Sequence, residues 1–154
     1  YLLGACYNIL KQHDKAELAF VSALPGLEDP EALECLYRLG LARFVLKKYP
    51  EAAVDLAGYL EKAGNGPHAA EARFYIARSL FERGDYEQSG TEFTTIAAGE
   101  GSIAAQASLW LARVSTRGVK DYTRAAEVLA DAIERFEDSP VITDIRFEIG
   151  RAHV

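Results

Sequence analysis

Large apolar residues recur along this chain at intervals of three and four, and glycine, proline and short polar runs interrupt them at nearly regular points. That period belongs to amphipathic helices. No stretch alternates with the period of two that a half-buried strand needs. The pattern predicts helices near residues 1–12, 14–24, 30–47, 50–63, 67–83, 86–98, 102–117, 122–136 and 140–153. Asp29-Pro30-Glu31 reads as a capping Asp followed by Pro at the first helical position, and Ser139-Pro140 repeats the device. Gly64-Asn65-Gly66-Pro67 ends one helix with residues that tolerate positive φ and opens the next. Gly99-Glu100-Gly101-Ser102 does the same, with Ser102 as the expected cap.

The helices pair into repeats. Leu3-Gly4, Leu39-Gly40, Ile76-Ala77, Leu111-Ala112 and Ile149-Gly150 each join a large apolar residue to a small one, and the small residues stand 36, 37, 35 and 38 apart. A second marker keeps step: His13-x-x-Ala16, Tyr49-x-x-Ala52, Tyr86-x-x-Ser89 and Tyr122-x-x-Ala125, each followed four residues later by Phe20, Leu56, Phe93 or Leu129. Two helices cross closely only where one side chain is small, so each Gly or Ala leaves room for a bulky residue opposite. The Tyr that opens each second helix can cover the turn while its hydroxyl stays wet. One hairpin cannot bury its apolar stripe alone, and stacking on the next completes the core. The expected division is one array over 1–154, with repeats at 1–28, 29–65, 66–101, 102–138 and a partial fifth at 139–154. The chain opens on Tyr1 and stops at Val154 inside helical patterns, as expected of a segment cut from a longer protein.

These markers resemble the tetratricopeptide repeat, whose signature runs Trp, Leu-Gly, Tyr, Ala, Phe and Pro over about 34 residues. The first repeat shows Leu3-Gly4, Tyr7, Ala16, Phe20 and Ala23; the second Leu36, Leu39-Gly40, Tyr49, Ala52 and Leu56. The third shows Ile76-Ala77, Gly84-Asp85-Tyr86, Ser89 and Phe93, and the fourth Leu111-Ala112, Asp121-Tyr122, Ala125, Leu129 and Ala132. The Trp is missing throughout, Tyr59 replaces a small residue in the second repeat, and the repeats run one to four residues long. Longer repeats ending like Arg135-Phe136-Glu137-Asp138-Ser139-Pro140 are similar in style to those of bacterial cell-envelope proteins, which leaves the compartment open between envelope, periplasm and cytoplasm.

The resemblance implies an all-α fold, a right-handed α-solenoid of antiparallel helix hairpins, and a partner protein or peptide held in its concave groove. In that family the first helix of each hairpin lines the groove, through residues three before, one after and four after the small residue. On this chain the first set is Tyr1, Tyr37, Phe74, Leu109 and Phe147, and the second Ala5, Leu41, Arg78, Arg113 and Arg151. The third is Asn8, Phe44, Phe81, Thr116 and Val154. The expected partner-binding residues are therefore Tyr37, Phe44, Phe74, Arg78, Phe81, Arg113, Phe147 and Arg151. Aromatic and Arg side chains combine large buried area with directional contacts, as binding hot spots require. The same residues can instead pack between neighbouring first helices, with the arginines paired to Glu71, Glu82, Asp144 or Glu148. The Lys–Asn–Asn–Lys–Arg clamp by which one subfamily takes chaperone C-termini is not reproduced, because its positions hold Tyr1, Asn8 or Ala5, Arg38, Glu71 and Tyr75. One repeat later they hold Tyr37, Leu41, Tyr75, Gln106 and Trp110.

Composition narrows the remaining classes. The net charge of −6 and the absence of any basic run beyond Lys47-Lys48 argue against nucleic acid as the partner. No apolar run reaches the length of a membrane span. Cys6 and Cys35 lack metal-ligand spacing and His13, His68 and His153 are scattered, so neither a metal site nor a cofactor is expected. No nucleophile elbow, phosphate-binding loop or His-Glu-x-x-His motif is present, and the chain is not expected to be an enzyme. Two alternatives to a binding scaffold stand beside it. One is a self-assembling module, a homo-oligomer through exposed terminal repeats. The other is a regulatory repeat domain attached to an enzymatic or membrane-anchored portion.

Overall fold

A computed structural model describes the backbone of residues 1–152 and the side chains of residues 1–148. Among the described residues there are only helices: α1 (Leu2–Ile9), α2 (His13–Ala23), α3 (Glu31–Val45), α4 (Tyr49–Ala63), α5 (Ala69–Arg83), α6 (Tyr86–Ala97), α7 (Gly101–Val114), α8 (Tyr122–Arg135) and α9 (Ile142–Ala152). A short 3-10 turn, Leu24–Gly26, follows α2, and a π-helical turn, Ser115–Val119, follows α7. The chain forms two compact units, Tyr1–Ser79 and the residues from Leu80 onward.

In the first unit the small residues of the repeat sit where close crossing demands them. A Cβ on Gly4 would lie 2.7 Å from the Phe20 ring, and one on Gly40 would lie 2.7 Å from Leu56 Cγ. Phe20 and Leu56 are fully buried. Phe20 packs with Ala16, Cys35 and Leu39, while Leu56 packs with Tyr37, Tyr59 and Ala72. Burial pushes the Cys35 thiol up, and its Sγ donates to the Phe20 carbonyl at 3.6 Å.

Charges also tie these helices together. Arg43 on α3 donates Nε to Glu17 on α2 at 3.1 Å and Nη1 to both oxygens of Asp55 on α4 at 3.0 and 2.8 Å. Lys48 closes the set on the other Glu17 oxygen at 2.6 Å. Burial pushes the Asp55 carboxyl up despite Arg43. Burial acts on Glu17 in the same direction, but Lys48 and Arg43 outweigh it and hold its carboxyl below the usual value.

The second unit is built from alanine. Ala104, Ala105 and Ala112 of α7 meet Ala125, Leu129 and Ala132 of α8, with Leu109, Phe136 and Ile145 completing the core. Arg135 at the end of α8 donates to the carbonyls of Ala97 and Gly99 at 3.1 and 3.0 Å, satisfying acceptors that the end of α6 leaves open.

Each hairpin turn contains one residue at positive φ, two before the His or Tyr that opens the second helix: Lys11, Lys47, Gly84 and Lys120, at 56°, 61°, 86° and 55°. Three of the four are lysines, where an L side chain is strained and glycine is not. Tyr49 and Tyr86 cover their turns as expected, edge-on to Phe44 and Phe81 at 5.4 and 5.3 Å, whereas Tyr122 is exposed.

Two caps differ from expectation. Helix α3 starts at Glu31, so Pro30 takes the capping position and the Asp29 side chain makes no cap bond. Gly101 supplies a positive φ of 79° at the start of α7, which moves the cap to Glu100 and places Ser102 inside the helix. Ser139 does act locally, its Oγ accepting from Val141 N–H at 3.3 Å. Asp121 caps α8 by accepting from Arg124 N–H at 2.9 Å.

Candidate functional site

The expected binding residues fall into two sets, one per unit. In the first, Tyr37 is only 5% exposed. The His68 ring stacks on it at 4.1 Å and 3°, and Tyr59 tilts against it at 5.5 Å. Glu34, on the preceding turn of α3, receives Arg38 Nε at 2.6 Å and sits 2.9 Å from His68 Nε2. The Tyr59 hydroxyl accepts the His68 backbone N–H at 3.2 Å. Burial first, and then the neighbouring Glu71, pushes the Tyr37 phenol far up, so it stays protonated. Beside this network is a cavity of about 610 Å³ walled by Tyr1, Leu33, Lys62, Ala63 and Pro67.

Further along α3, Phe44 is half-buried, with Tyr75 edge-on at 4.9 Å and the Arg78 guanidinium 5.2 Å above its ring. Phe74 is buried and meets Tyr75 edge-on at 5.7 Å. The first unit thus brings Phe44 and Arg78 together at the surface and places Tyr37 and Phe74 beneath it.

In the second unit Phe81 is buried among Tyr86, Trp110 at 5.1 Å and the Arg117 guanidinium at 5.4 Å. Arg113 lies 4.6 Å over the Trp110 ring and donates Nε and Nη2 to Glu148 Oε1 at 3.0 and 2.8 Å. A ring face, a guanidinium and a carboxylate are thereby locked in one orientation. Beside them is a pocket of about 140 Å³, lined by Ala112, Thr116, Tyr122, Ala125 and Leu129. Phe147 on α9 is 67% exposed. Arg151 and Val154 lie outside the described side chains.

Two features escaped sequence reasoning. Glu34 and His68 stand 34 residues apart, three short of the local repeat spacing of 37, so the period does not align them and gave no signal for their meeting. A cavity of about 870 Å³ runs along α6, walled by Thr91, Thr94, Thr95, Val114, Val119 and Arg124. Its only trace in the sequence is Gly118, where a Cβ would lie 2.7 Å from Tyr86 Cβ. Among the described residues no cluster of His, Cys, Asp and Glu could hold a metal ion, and no helix is long and apolar enough to cross a membrane.

Residues 37–102 match the family model of the tetratricopeptide repeat. That stretch is similar to tetratricopeptide repeats. Solved structures extend the likeness of fold along nearly the whole chain. The MamA RS-1 ArsTM double mutant matches with a TM-score of 0.76 and 15% identity, over 97% of this chain and 78% of that one. The nearly identical TPR-like repeats of a Podosopora anserina putative kinesin light chain match at 0.79 and 16%, over 98% of this chain and 82% of that one. The Rap conjugation gene regulator of plasmid pLS20, in complex with the Phr* peptide, matches at 0.72 and 14%, over 97% of this chain and 46% of the regulator. At these identities the likeness concerns the tetratricopeptide fold, and the α-solenoid class expected from the repeats is the class of these structures. No curated protein matches the chain in sequence.

Proposed function

We propose that this chain is a protein-interaction module that takes a partner peptide or protein segment along the first helices of its hairpins, with no catalysis of its own. The reading is supported by the tetratricopeptide fold and by the Phr* peptide bound to one structure of that fold. The observation that carries it is the Arg113 arrangement. Its guanidinium is held by Trp110 and Glu148, yet the side chain is still 32% exposed beside an apolar pocket.

An oriented guanidinium next to an apolar recess suits a segment carrying an acidic group beside an aliphatic side chain. Phe44 and Arg78 offer the same pairing in the first unit, Phe147 adds an exposed ring, and Arg151 continues the series in sequence. Tyr37, Phe74 and Phe81 act from beneath by fixing the backbone that presents these groups.

The test is selection of a random peptide library displayed on phage against the whole chain. Enriched peptides should pair an acidic with a large apolar residue. The substitutions Arg78→Glu, Arg113→Glu and Arg151→Glu together should abolish the enrichment while leaving helicity unchanged. Arg113→Lys keeps the charge but loses the planar fork, and should weaken the selected peptide about tenfold. Selected peptides that bind the triple variant as well as the unmodified chain would remove the arginines from the mechanism.

A further inference from the structure

Consecutive hairpins leave a seam between their second helices, and each compact unit contains one such seam. In the first unit, between α2 and α4, the Arg43 guanidinium fills it, donating to Glu17 on one side and Asp55 on the other. The repeat spacing gives the equivalents of Glu17, Arg43 and Asp55 in the α6–α8 seam as Gly90, Ser115 and Val128. None of the three is charged. Gly90 and Ser115 line the cavity of about 870 Å³ that runs along α6. Its walls and floor come from three consecutive helices and the π-helical turn, so the hollow is an interior seam with a neighbour on both sides.

The seam is apolar at its floor and lined with oxygen on one wall. Leu111 and Val114 make the floor, and Gly90 keeps it open, since a Cβ there would lie 3.3 Å from Val114 Cγ1. Glu87, Thr91, Thr94 and Thr95 recur at helical spacing along α6 and form a wall about 12 Å long. The hydroxyls of Thr91, Thr94 and Thr95 donate to the carbonyls of Glu87, Gly90 and Thr91 at 3.1, 2.8 and 3.1 Å. Ser115 donates to the Leu111 carbonyl at 3.1 Å. A hydroxyl has one hydrogen, so these oxygens can only accept from a ligand. The Glu87 carboxylate also accepts only, and it makes no ion pair among the described residues.

We propose that this seam is a second docking groove, for a partner segment that carries an arginine or lysine beside a large apolar side chain. The apolar side chain enters over Gly90 and covers Leu111 and Val114. The cation lies along α6, on Glu87 and the threonine oxygens. Hydrogen-bond chemistry selects this occupant. Guanidinium and ammonium groups donate only, so a wall that accepts only matches every hydrogen they present to it. A carboxylate or phosphate would set oxygen against oxygen there, and a bare peptide backbone would do so at each carbonyl. The first seam gives the precedent, because Arg43 holds a guanidinium against oxygens of both neighbouring helices. In the second seam the chain supplies no such group, and the partner does. Arg124 on the opposite wall repels a cation and so fixes the side that the basic residue takes. The net charge of −6 favours approach of a basic segment. The groove thus has the opposite charge preference to the Arg113 site.

A random peptide library displayed on phage, panned on the whole chain and counter-selected on its Thr91→Trp variant, tests this. The indole fills the hollow from an exposed position, so circular dichroism should not change. Surviving peptides should carry Arg or Lys within two residues of Leu, Ile or Phe. By fluorescence polarisation with the most enriched peptide, Thr91→Trp should weaken binding at least about thirtyfold and Glu87→Gln about fivefold. Replacing the peptide's basic residue by Gln should also cost about fivefold, and combining it with Glu87→Gln should cost little more than either alone. Arg113→Glu should leave the affinity unchanged. Should Thr91→Trp lose helicity, the cycle between Glu87 and the peptide decides. No peptide surviving counter-selection, a preference for acidic peptides, losses that simply multiply in the cycle, or binding abolished by Arg113→Glu would each overturn the proposal. Failure to select acidic peptides at the Arg113 site would leave these results untouched, so the two grooves are tested separately.

Discussion

The first unit presses glycine against bulky side chains and ties its helices with buried ions, as at Gly4–Phe20, Gly40–Leu56 and Arg43–Asp55. The second fills its crossings with alanine and lays arginines over aromatic rings, as at Arg113–Trp110, Arg117–Phe81 and Arg135–Phe136. The hairpins are alike, but their tolerances are not. A crossing that excludes a Cβ is sensitive to any added atom, whereas one built on alanine already contains that atom. An ion pair whose Asp is buried leaves an uncompensated charge when broken, whereas a half-exposed guanidinium is rescued by water.

The largest effect should come from overfilling the tight crossing. Gly40→Val is expected to cost about 3 kcal/mol in urea denaturation, because the Leu56 side chain has no free direction. The reverse change in the second unit, Ala112→Gly, should cost only about 1 kcal/mol, mostly in backbone entropy. Similar losses for both would erase the distinction between the units.

Next is the ion pair. Asp55→Ala should cost about 2 kcal/mol by leaving Arg43 with Glu17 alone, and adding Arg43→Met should restore most of that loss. A double variant no better than the single would mean that the pair contributes through packing and not through charge. The smallest effect is a gain. Lys47→Gly should stabilise the chain by about 0.5–1 kcal/mol by relieving the positive φ, a benefit that the third hairpin already has in Gly84. Loss of stability in that variant would show that the Lys47 stem contributes more than its backbone costs.

The architecture was legible because helix crossing imposes a size rule on single positions. Gly4 with Phe20 and Gly40 with Leu56 could be paired by spacing before any coordinates, and the helix ends followed within a few residues. The caps at Asp29 and Ser102 were less legible, because a proline or a glycine can take the boundary one residue away. The site was partly legible. Periodicity says which residues share the face of Tyr37, Phe44 and Arg78. It does not say that His68 will stack over one of them, since that contact depends on the loop before α5. Arg113 and Glu148 were among the pairs that charge alone allowed, and only distance selected them.

The π-helical turn Ser115–Val119 has a consequence for how such arrays change length. From Gly4 to Phe20, Gly40 to Leu56 and Ala77 to Phe93 the separation is 16 residues, but from Ala112 to Leu129 it is 17. The surplus residue falls between the two, where the wider turn takes it up, and Ala112 and Leu129 still share one core. A motif of fixed length loses phase at this residue, whereas the packing does not. Insertions and deletions of one residue should therefore accumulate in this turn before anywhere else in the fourth repeat, leaving the interdigitation of α7 and α8 unchanged.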